Sequence, residues 1–363
     1  MARPVVAVVF GGRSSEHGVS CVTAGGVLGA IDPEQWDVIA IGITTTGRWT
    51  VASADPADWR ITGDVLPHVS PDGETVLLPV QAGDKEWRIE GHDGLIRHLA
   101  TVDVVFPLLH GPFGEDGTLQ GAFELLDVRY VGSGVLASAV GMDKQFMKTA
   151  FKDAGLPVTP DVTLQPGDAV ADHLDRIALL GLPLFVKPAR AGSSMGISRV
   201  DDLAHLEAAV ADAVLHDPKV LIERGIEGRE IESAVLATAG EVRVSPAGEI
   251  VTGGDHDFYD FEAKYLDGGA VQLLCPTSLP DDIAEMVSDY ARRSFRAVGA
   301  EGLARVDVFV GDDGAVTVNE INTMPGFTTT SMYPRMWASA GVGYEELVQT
   351  LLETALHRPL GLR

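Results

Sequence analysis

An uninterrupted apolar stretch near the N-terminus, residues 4–10 with the sequence PVVAVVF, constrains the fold more than any other feature of the chain. A strand that is apolar on both sides suits a parallel sheet whose two faces are both covered. Glycines follow the stretch, and the pattern then predicts a helix at 19–28 and a second strand at 38–43. This strand–helix–strand start indicates an open α/β domain.

Turn signals and changes in patterning divide the 363 residues into three units. We predict an N-terminal α/β domain at 1–140, with a β-rich insertion or hairpin at about 47–100. A second unit is predicted at 141–228, and a third at 229–363, where a long helix precedes a hairpin around a GDDG turn. The predicted class is α/β, with α+β character in the C-terminal part. Other predicted elements are strands at 102–109, 129–131, 184–187, 219–223, 230–236, 303–310 and 315–321, and helices at 117–126, 144–154, 201–215 and 282–298.

Composition excludes several classes of protein. The formal net charge of −25 opposes nonspecific binding to nucleic acid or to an anionic membrane, so a phosphate site requires a local cluster of cations and backbone amides. No apolar run approaches the roughly 18 residues of a membrane span, and the N-terminus has no signal-peptide pattern. Two cysteines are too few for a disulfide framework. We expect a cytoplasmic protein with neither nucleic acid nor membrane as partner.

The predicted C-terminal hairpin carries the strongest local signal for chemistry. Side chains alternate along a strand, so Arg305 and Asp307 share one face, as do Glu320 and Asn322. Pairing the two strands gathers two carboxylates, an amide oxygen and a guanidinium. Oxygen ligands of this kind suit Mg²⁺ completed by substrate phosphates. The alternative is a solvated hairpin face with ion pairs.

A second signal is the strand that ends at Lys187 and runs into the small-residue loop 189–196. The backbone N–H groups of such a loop can surround phosphate oxygens. It does not match the P-loop pattern, because its lysine precedes the loop. A flexible surface turn is the alternative.

Three other patterns are weaker. Residues 132–137, GSGVLA, match a dinucleotide fingerprint, but no convincing second strand ends in an acid about 20 residues further on, where the ribose contact would lie. Glu16 lies beyond the C-terminal end of the first strand, where it can hold an ammonium group or serve as an acid at a helix start. His110 also ends a strand, where a lone histidine is more often structural.

Taken in order, these features resemble the ATP-grasp superfamily, and within it the D-alanine–D-alanine ligase family. The resemblance covers nearly the whole chain and rests on FGGRSSEHGVS (10–20), HGPFGEDG (110–117), MDK (142–144), KPARAGSSMG (187–196), FYDFEAKY (258–265) and NEINTMPGFT (319–328). It implies a three-domain architecture, an N-terminal substrate-binding domain, and ATP-dependent joining of two D-alanines for peptidoglycan through a D-alanyl phosphate. It also implies a homodimer.

The resemblance further implies roles for particular residues. ATP would be bound by Lys144, Lys187, Ser194, Glu223, Ile226, Glu230 and Lys264, with adenine meeting the backbone of 223–226 and Glu230 the ribose. Two Mg²⁺ or Mn²⁺ ions would be held by Asp307, Glu320 and Asn322. The substrates would be bound and activated by Glu16, Ser193, Tyr265, Arg305, Gly326 and Ser331, with Glu16 on the first ammonium and Ser331 on the second carboxylate. Tyr265 would favour D-alanine over D-lactate as second substrate.

Three rival functions remain open from the sequence. A nucleotide-dependent oxidoreductase is suggested by residues 132–137. A catalytically inactive ATP-binding regulator would keep the fold without turnover. A ligase of the same superfamily with another substrate is nearer to the motifs than either.

Overall fold

The computed structural model describes residues 2–63, 65–192, 195–252 and 271–361. Three sheets organise this part of the chain, one in each predicted unit. Ser193, Ser194, Lys264 and Tyr265 from the predicted site lie outside the described residues, as does the FYDFEAKY motif.

The N-terminal unit is built on a sheet of order β6-β5-β4-β3-β2-β1-β7. Its strands are β1 (Val5–Gly11), β2 (Asp37–Ile43), β3 (Trp49–Val51), β4 (Thr75–Leu77), β5 (Glu86–Glu90), β6 (Ile96–Thr101) and β7 (Val104–Pro107). β1 runs parallel to β2 and β7, as its apolar sequence predicts. The 47–100 segment contributes β3 to β6, which continue the same sheet in antiparallel fashion from β2.

Helices α1 (His17–Ala30), α2 (Thr118–Leu125) and α3 (Val135–Met142) accompany this sheet, with a 3₁₀ helix at Pro56–Trp59. The predicted strand at 129–131 is reduced to a single parallel bridge between Tyr130 and Val105. The dinucleotide-like segment 132–137 runs into α3, where Gly132 and Gly134 lie against the C-terminal unit instead of a cofactor cleft.

The central unit has a four-stranded antiparallel sheet of order β10-β9-β11-β8. It consists of β8 (Asp161–Leu164), β9 (Leu184–Pro188), β10 (Ser198–Val200) and β11 (Val220–Arg224), with helices α4 (Lys144–Asp153), α5 (Leu174–Ala178) and α6 (Leu206–Val214). The helix predicted at 201–215 starts late, because residues 203–205 form a 3₁₀ turn. Helical spacing predicts an apolar stripe of Leu203, Leu206, Val210 and Val214 in this helix, and that prediction is wrong at its two ends, since Leu203 and Val214 are 38% and 46% exposed. The stripe follows Leu206, Ala209, Val210 and Ala213 instead.

The C-terminal unit contains β12 (Arg229–Thr238), β13 (Glu241–Val244), β14 (Gly248–Thr252), β15 (Val271–Leu274), β16 (Leu303–Val310) and β17 (Val316–Asn322). Its helices are α7 (Asp281–Ala297), α8 (Met332–Ser339) and α9 (Tyr344–Leu356). α7 and the hairpin β16–β17 agree with the sequence prediction, whereas α8 and α9 were not predicted.

α9 packs on β7 and α1 of the N-terminal unit, and α8 packs on α9 and β12, so the first and third units share one hydrophobic core. Phe10 of β1 belongs to the same buried cluster as Phe327, Trp337 of α8 and Leu351 of α9. Burial of apolar surface stabilises by about 25 cal/mol per Å², so such a shared core joins the two units strongly. Among the described residues, no helix combines the length and the apolar composition that crossing a bilayer would need.

Candidate active site

A cavity of about 630 Å³ opens where the three units meet, and most of the predicted site residues line it. The predicted residues on its wall are Glu16, Lys144, Lys187, Ile226, Glu230, Arg305, Asp307, Glu320, Asn322, Gly326 and Ser331. Residues 132–137 are absent from its described lining, which argues against a dinucleotide site there. Glu223 is likewise absent from that lining.

Three adjacent strands place one acid each in a single cross-strand row. Glu232 of β12 lies opposite Asp307 of β16, which in turn lies opposite Glu320 of β17. In the neighbouring row Arg305 lies opposite Asn322. The face-sharing inferred from strand alternation is therefore present, with Glu232 as an additional acid that the sequence reasoning missed.

A register shift between Asp307 and Val308 makes this arrangement compatible with the core. Strict alternation would put Val318 on the same face as Glu320. The irregularity adds a residue to β17, so that Val318 and Ile321 are both buried under α7 while Glu320 reaches the cavity.

Arg305 is held by two carboxylates. Its Nε and an Nη each donate to one oxygen of Asp307 at 2.7 Å, and its Nε lies 3.1 Å from Glu232 Oε1. Burial alone would lower the pKa of Arg305, but the charges of Asp307 and Glu232 outweigh it and raise that pKa well above its usual value. The guanidinium therefore stays charged in the cavity.

Lys144 and Lys187 are each paired with an acid. Lys144, the first residue of α4, donates to the carbonyl of Ala191 at 3.1 Å and lies 3.5 Å from Glu320 Oε2. Lys187 forms an ion pair with Glu223, whose other partner is the buried Lys148.

These pairings set the protonation of the group around Glu223. Burial would raise the pKa of Glu223, but Lys187 and Lys148 outweigh it and hold that pKa below its usual value. Burial would lower the pKa of Lys187, yet Glu223 raises it. The Glu223 side chain is thus engaged with lysines, and its predicted contact with adenine through the backbone stays a prediction.

Glu16 lies in a cradle of glycines, directly before α1 and after the β1 turn. The side chain is buried. A Cβ on Gly111 would come within 2.6 Å of Glu16 Oε2, and one on Gly192 within 3.1 Å. Gly111 also has φ of 71°, a conformation that favours glycine. The two glycines therefore leave the carboxylate access to the cavity between the N-terminal and central units.

Glu115 and His110 link the first unit to the third, and the sequence reasoning gave neither this role. Glu115 accepts hydrogen bonds from Gly111 N at 2.7 Å and from Met324 N at 3.0 Å. Burial and the nearby Glu16 raise the pKa of Glu115 to about 8. The signal available in the sequence was the pair of acids in HGPFGEDG, immediately after a buried strand.

His110 also contacts the backbone of Met324. Its Nδ1 lies 3.1 Å from the Met324 carbonyl oxygen, which can only accept, so Nδ1 carries the proton. Its Nε2 then accepts from the Thr23 hydroxyl at 3.3 Å. Burial lowers the pKa of His110 and favours this neutral form, in agreement with the structural reading of this histidine.

The loop after β17 carries the last two predicted site residues. Gly326 lies on the cavity wall, two residues beyond Met324, whose backbone bonds to Glu115 and His110. Ser331 precedes α8, and its Oγ accepts from Thr328 N at 3.1 Å and lies 2.7 Å from Thr328 Oγ1. Backbone N–H groups at a helix start and a hydroxyl beside them suit a carboxylate ligand.

The donor set on the hairpin fits a divalent cation. Asp307 and Glu320 supply carboxylates, and Asn322 donates to Asp307 through its amide nitrogen at 3.0 Å, which leaves its oxygen to ligate. Within the described ranges no three His, Cys, Asp or Glu side chains cluster as a metal site. The remaining ligands would therefore be phosphate oxygens and water, as Mg²⁺ prefers.

Comparison with known proteins identifies similar sequences over nearly the whole chain. The models described as "D-ala D-ala ligase N-terminus" and "D-ala D-ala ligase C-terminus" match residues 5–133 and 150–353. The chain is 57% identical to the D-alanine–D-alanine ligase of Kineococcus radiotolerans, with 99% of each chain covered. It is 55% identical to that of Pseudarthrobacter chlorophenolicus, over 99% of this chain and 96% of the relative.

Solved structures agree as well. The VanG D-Ala:D-Ser ligase from Enterococcus faecalis superposes with a TM-score of 0.84 at 32% identity, covering 98% of this chain and 100% of that one. The D-alanine–D-alanine ligase from Coxiella burnetii gives a TM-score of 0.83 at 32% identity, covering 98% and 94%. With two family models matching most of its length and relatives more than half identical from end to end, the chain belongs to the D-alanine–D-alanine ligase family.

Proposed function

We propose that the chain joins two D-alanine molecules to D-alanyl-D-alanine for peptidoglycan synthesis, with conversion of ATP to ADP and phosphate. The observation that carries the proposal is one cavity lined by Glu16, two lysines and the Arg305–Asp307–Glu320–Asn322 hairpin. Each part of the reaction finds a residue of suitable chemistry there.

The first step must activate a carboxylate, because its negative charge repels an attacking amine. Transfer of the ATP γ-phosphoryl group to the first D-alanine makes an acyl phosphate with a good leaving group. Lys144 and Lys187 lie where they can offset the charge of the phosphates, which is most of what phosphoryl transfer requires. Asp307, Glu320 and Asn322 would hold Mg²⁺ or Mn²⁺, which supplies further charge stabilisation when bound.

The second step is attack by the amine of the second D-alanine, followed by loss of phosphate. Glu16 would hold the ammonium of the first D-alanine, and Ser331 the carboxylate of the second. Arg305 and the Gly326 N–H would donate to the oxyanion of the tetrahedral intermediate, where one donor is typically worth about 3 kcal/mol.

The roles of Ser193, Ser194, Lys264 and Tyr265 stay predictions, since these residues lie outside the described part of the chain. Their motifs would close over the cavity and keep water from the acyl phosphate. Tyr265 supports D-alanine as second substrate. We further propose that the protein is a cytoplasmic homodimer. Light scattering of the purified protein tests the dimeric state.

Phosphate release from ATP and Mg²⁺ tests the main proposal, with D-alanine, with L-alanine, with D-alanine plus D-lactate or D-serine, and without acceptor. We expect release that needs D-alanine, with one phosphate per D-alanyl-D-alanine. A preference for D-lactate or D-serine near neutral pH would overturn the assignment of the second substrate. No release from protein that ATP still stabilises would indicate an inactive binder or a different ligase substrate.

A further inference from the structure

Asp307 has two roles in the proposed function that compete in this structure. Both of its oxygens accept from Arg305 at 2.7 Å, and Oδ2 also accepts from Asn322 at 3.0 Å. A divalent cation on the same carboxylate would place two cations on one acid, and they repel one another. Arg305 must therefore release at least part of its hold on Asp307 before a metal ion can bind.

A second acid is already in contact with the guanidinium. Glu232 lies directly opposite Asp307 in the strand register, and its Oε1 lies 3.1 Å from Arg305 Nε. Its side chain is 4% exposed, against 14% for Asp307 and 18% for Arg305. Glu232 and Asp307 both line the cavity, and Glu232 is the more deeply buried of the two acids that contact the arginine.

The arrangement of β12 and β16 would let Arg305 exchange one carboxylate partner for the other without leaving the cavity. Across the sheet, the residue opposite Arg305 is Ala234, so Glu232 and Arg305 occupy adjacent rows of the same face. Because Arg305 Nε already lies 3.1 Å from Glu232 Oε1, the guanidinium has a second carboxylate within reach while it stays in the cavity. Burial of an arginine demands such a partner, because an unpaired buried charge is strongly unfavourable.

We infer that Glu232 is a positioning residue that takes over Arg305 when Asp307 binds the metal ion. This inference rests on the proposed function and deepens it. Glu232 frees a metal ligand and, by the same contact, keeps the arginine beside the reacting carbonyl group. Glu232 itself touches neither substrate nor metal in this scheme.

The test measures metal binding apart from turnover, with Mn²⁺ as the probe. Electron paramagnetic resonance gives the Kd of Mn²⁺ in the presence of ADP for wild type and for Glu232→Gln. Gln keeps the volume but loses the charge that attracts Arg305 away from Asp307. We expect a Kd about tenfold higher, equivalent to about 1.4 kcal/mol.

A double-mutant cycle separates this mechanism from a simple loss of negative charge near the metal. In an Arg305→Met background no guanidinium competes for Asp307, so Glu232→Gln should change the Kd by less than about twofold. An equal weakening in both backgrounds would overturn the inference, as would an unchanged Kd in Glu232→Gln alone.

Glu249→Gln is the matched control, because Glu249 is also a buried acid of this sheet and accepts hydrogen bonds from Nε and one Nη of an arginine, Arg229. It lies off the described cavity wall, and its Kd should equal that of wild type. Thermal unfolding shows whether each variant is folded. If Glu232→Gln does not fold, Glu232→Asp, which keeps the charge but shortens the side chain, is measured in its place. Wild-type protein that binds no Mn²⁺ with ADP overturns the inference, whereas phosphate release with D-alanine tests the proposed function separately.

Discussion

Replacing Lys148 by methionine tests whether the buried ion-pair network behind the cavity supports both stability and nucleotide binding. Lys148 is 1% exposed and contacts Glu223 and, at 3.5 Å, Asp161. Methionine has a similar length, so the cavity contribution is small and the lost charge dominates. Removing one partner of a buried pair typically costs about 3–5 kcal/mol.

The structure places the expected cost near the lower end of that range. Glu223 keeps Lys187, and Asp161 keeps Lys152 at 2.9 Å, so neither acid is left without a cation. We expect a loss of about 3 kcal/mol in the free energy of unfolding. The KM for ATP should also rise, because Lys187 becomes the remaining partner of Glu223 in this network and is held away from the phosphates.

Urea unfolding followed by circular dichroism gives the free-energy change from the midpoint and slope, and the KM for ATP is measured at saturating D-alanine. Lys152→Met is the matched control, since it lies one turn along α4 and pairs with the same Asp161, but its side chain is 54% exposed. Such a surface pair is worth about 0–1 kcal/mol. Equal stability and equal KM in the Lys148 and Lys152 variants would refute the reasoning.

Three further predictions concern single residues of the site. Glu320→Gln should keep the fold, measured by circular dichroism, and lose phosphate release, because it removes a charge from the proposed metal site; wild-type release would contradict that site. The pKa of about 8 for Glu115 means that the folded state keeps a proton that the unfolded state releases above about pH 4.5, so this group lowers the stability of the wild type as pH rises from 5 to 8. The stability of Glu115→Gln relative to wild type should therefore increase across that range. A difference in urea midpoints that does not change with pH would contradict this prediction. Gly111→Ala should raise the KM for D-alanine, because the new Cβ meets Glu16 Oε2 at 2.6 Å, whereas Gly94→Ala, with a similar φ of 73° and nothing within 4 Å, should leave that KM unchanged.

Local patterns predicted the parts of the site that depend on local geometry. Alternation along two strands was enough to place Arg305, Asp307, Glu320 and Asn322 together, because a tight turn fixes the pairing of neighbouring strands. The irregularity at Asp307 was not predictable, since it depends on how Val318 packs under a helix from elsewhere in the chain.

Residues whose roles come from other units could not be found in this way. Glu232 is one of several polar residues of β12, and its role depends on lying opposite Asp307, which is 75 residues further on in the sequence. Glu115 gains its role from Met324, which is 209 residues away. Helix α9 packs on α1 and β7 near the other end of the chain, and its sequence alone does not identify that surface.

Ion pairs around the cavity explain how the proposed phosphate site could form on a protein of net charge −25. The three cations assigned to the proposed reaction are each paired with an acid: Lys144 with Glu320, Lys187 with Glu223, and Arg305 with its two carboxylates. Buried cations require such partners when no phosphate is present. In the proposed function, binding of ATP and a metal ion would exchange partners instead of creating new charges in the cavity, because phosphates would replace acids around the lysines and metal ions would replace cations around the acids. Breaking the resident pairs would weaken nucleotide binding, but the charges that phosphoryl transfer needs would already be desolvated and in position before ATP arrives.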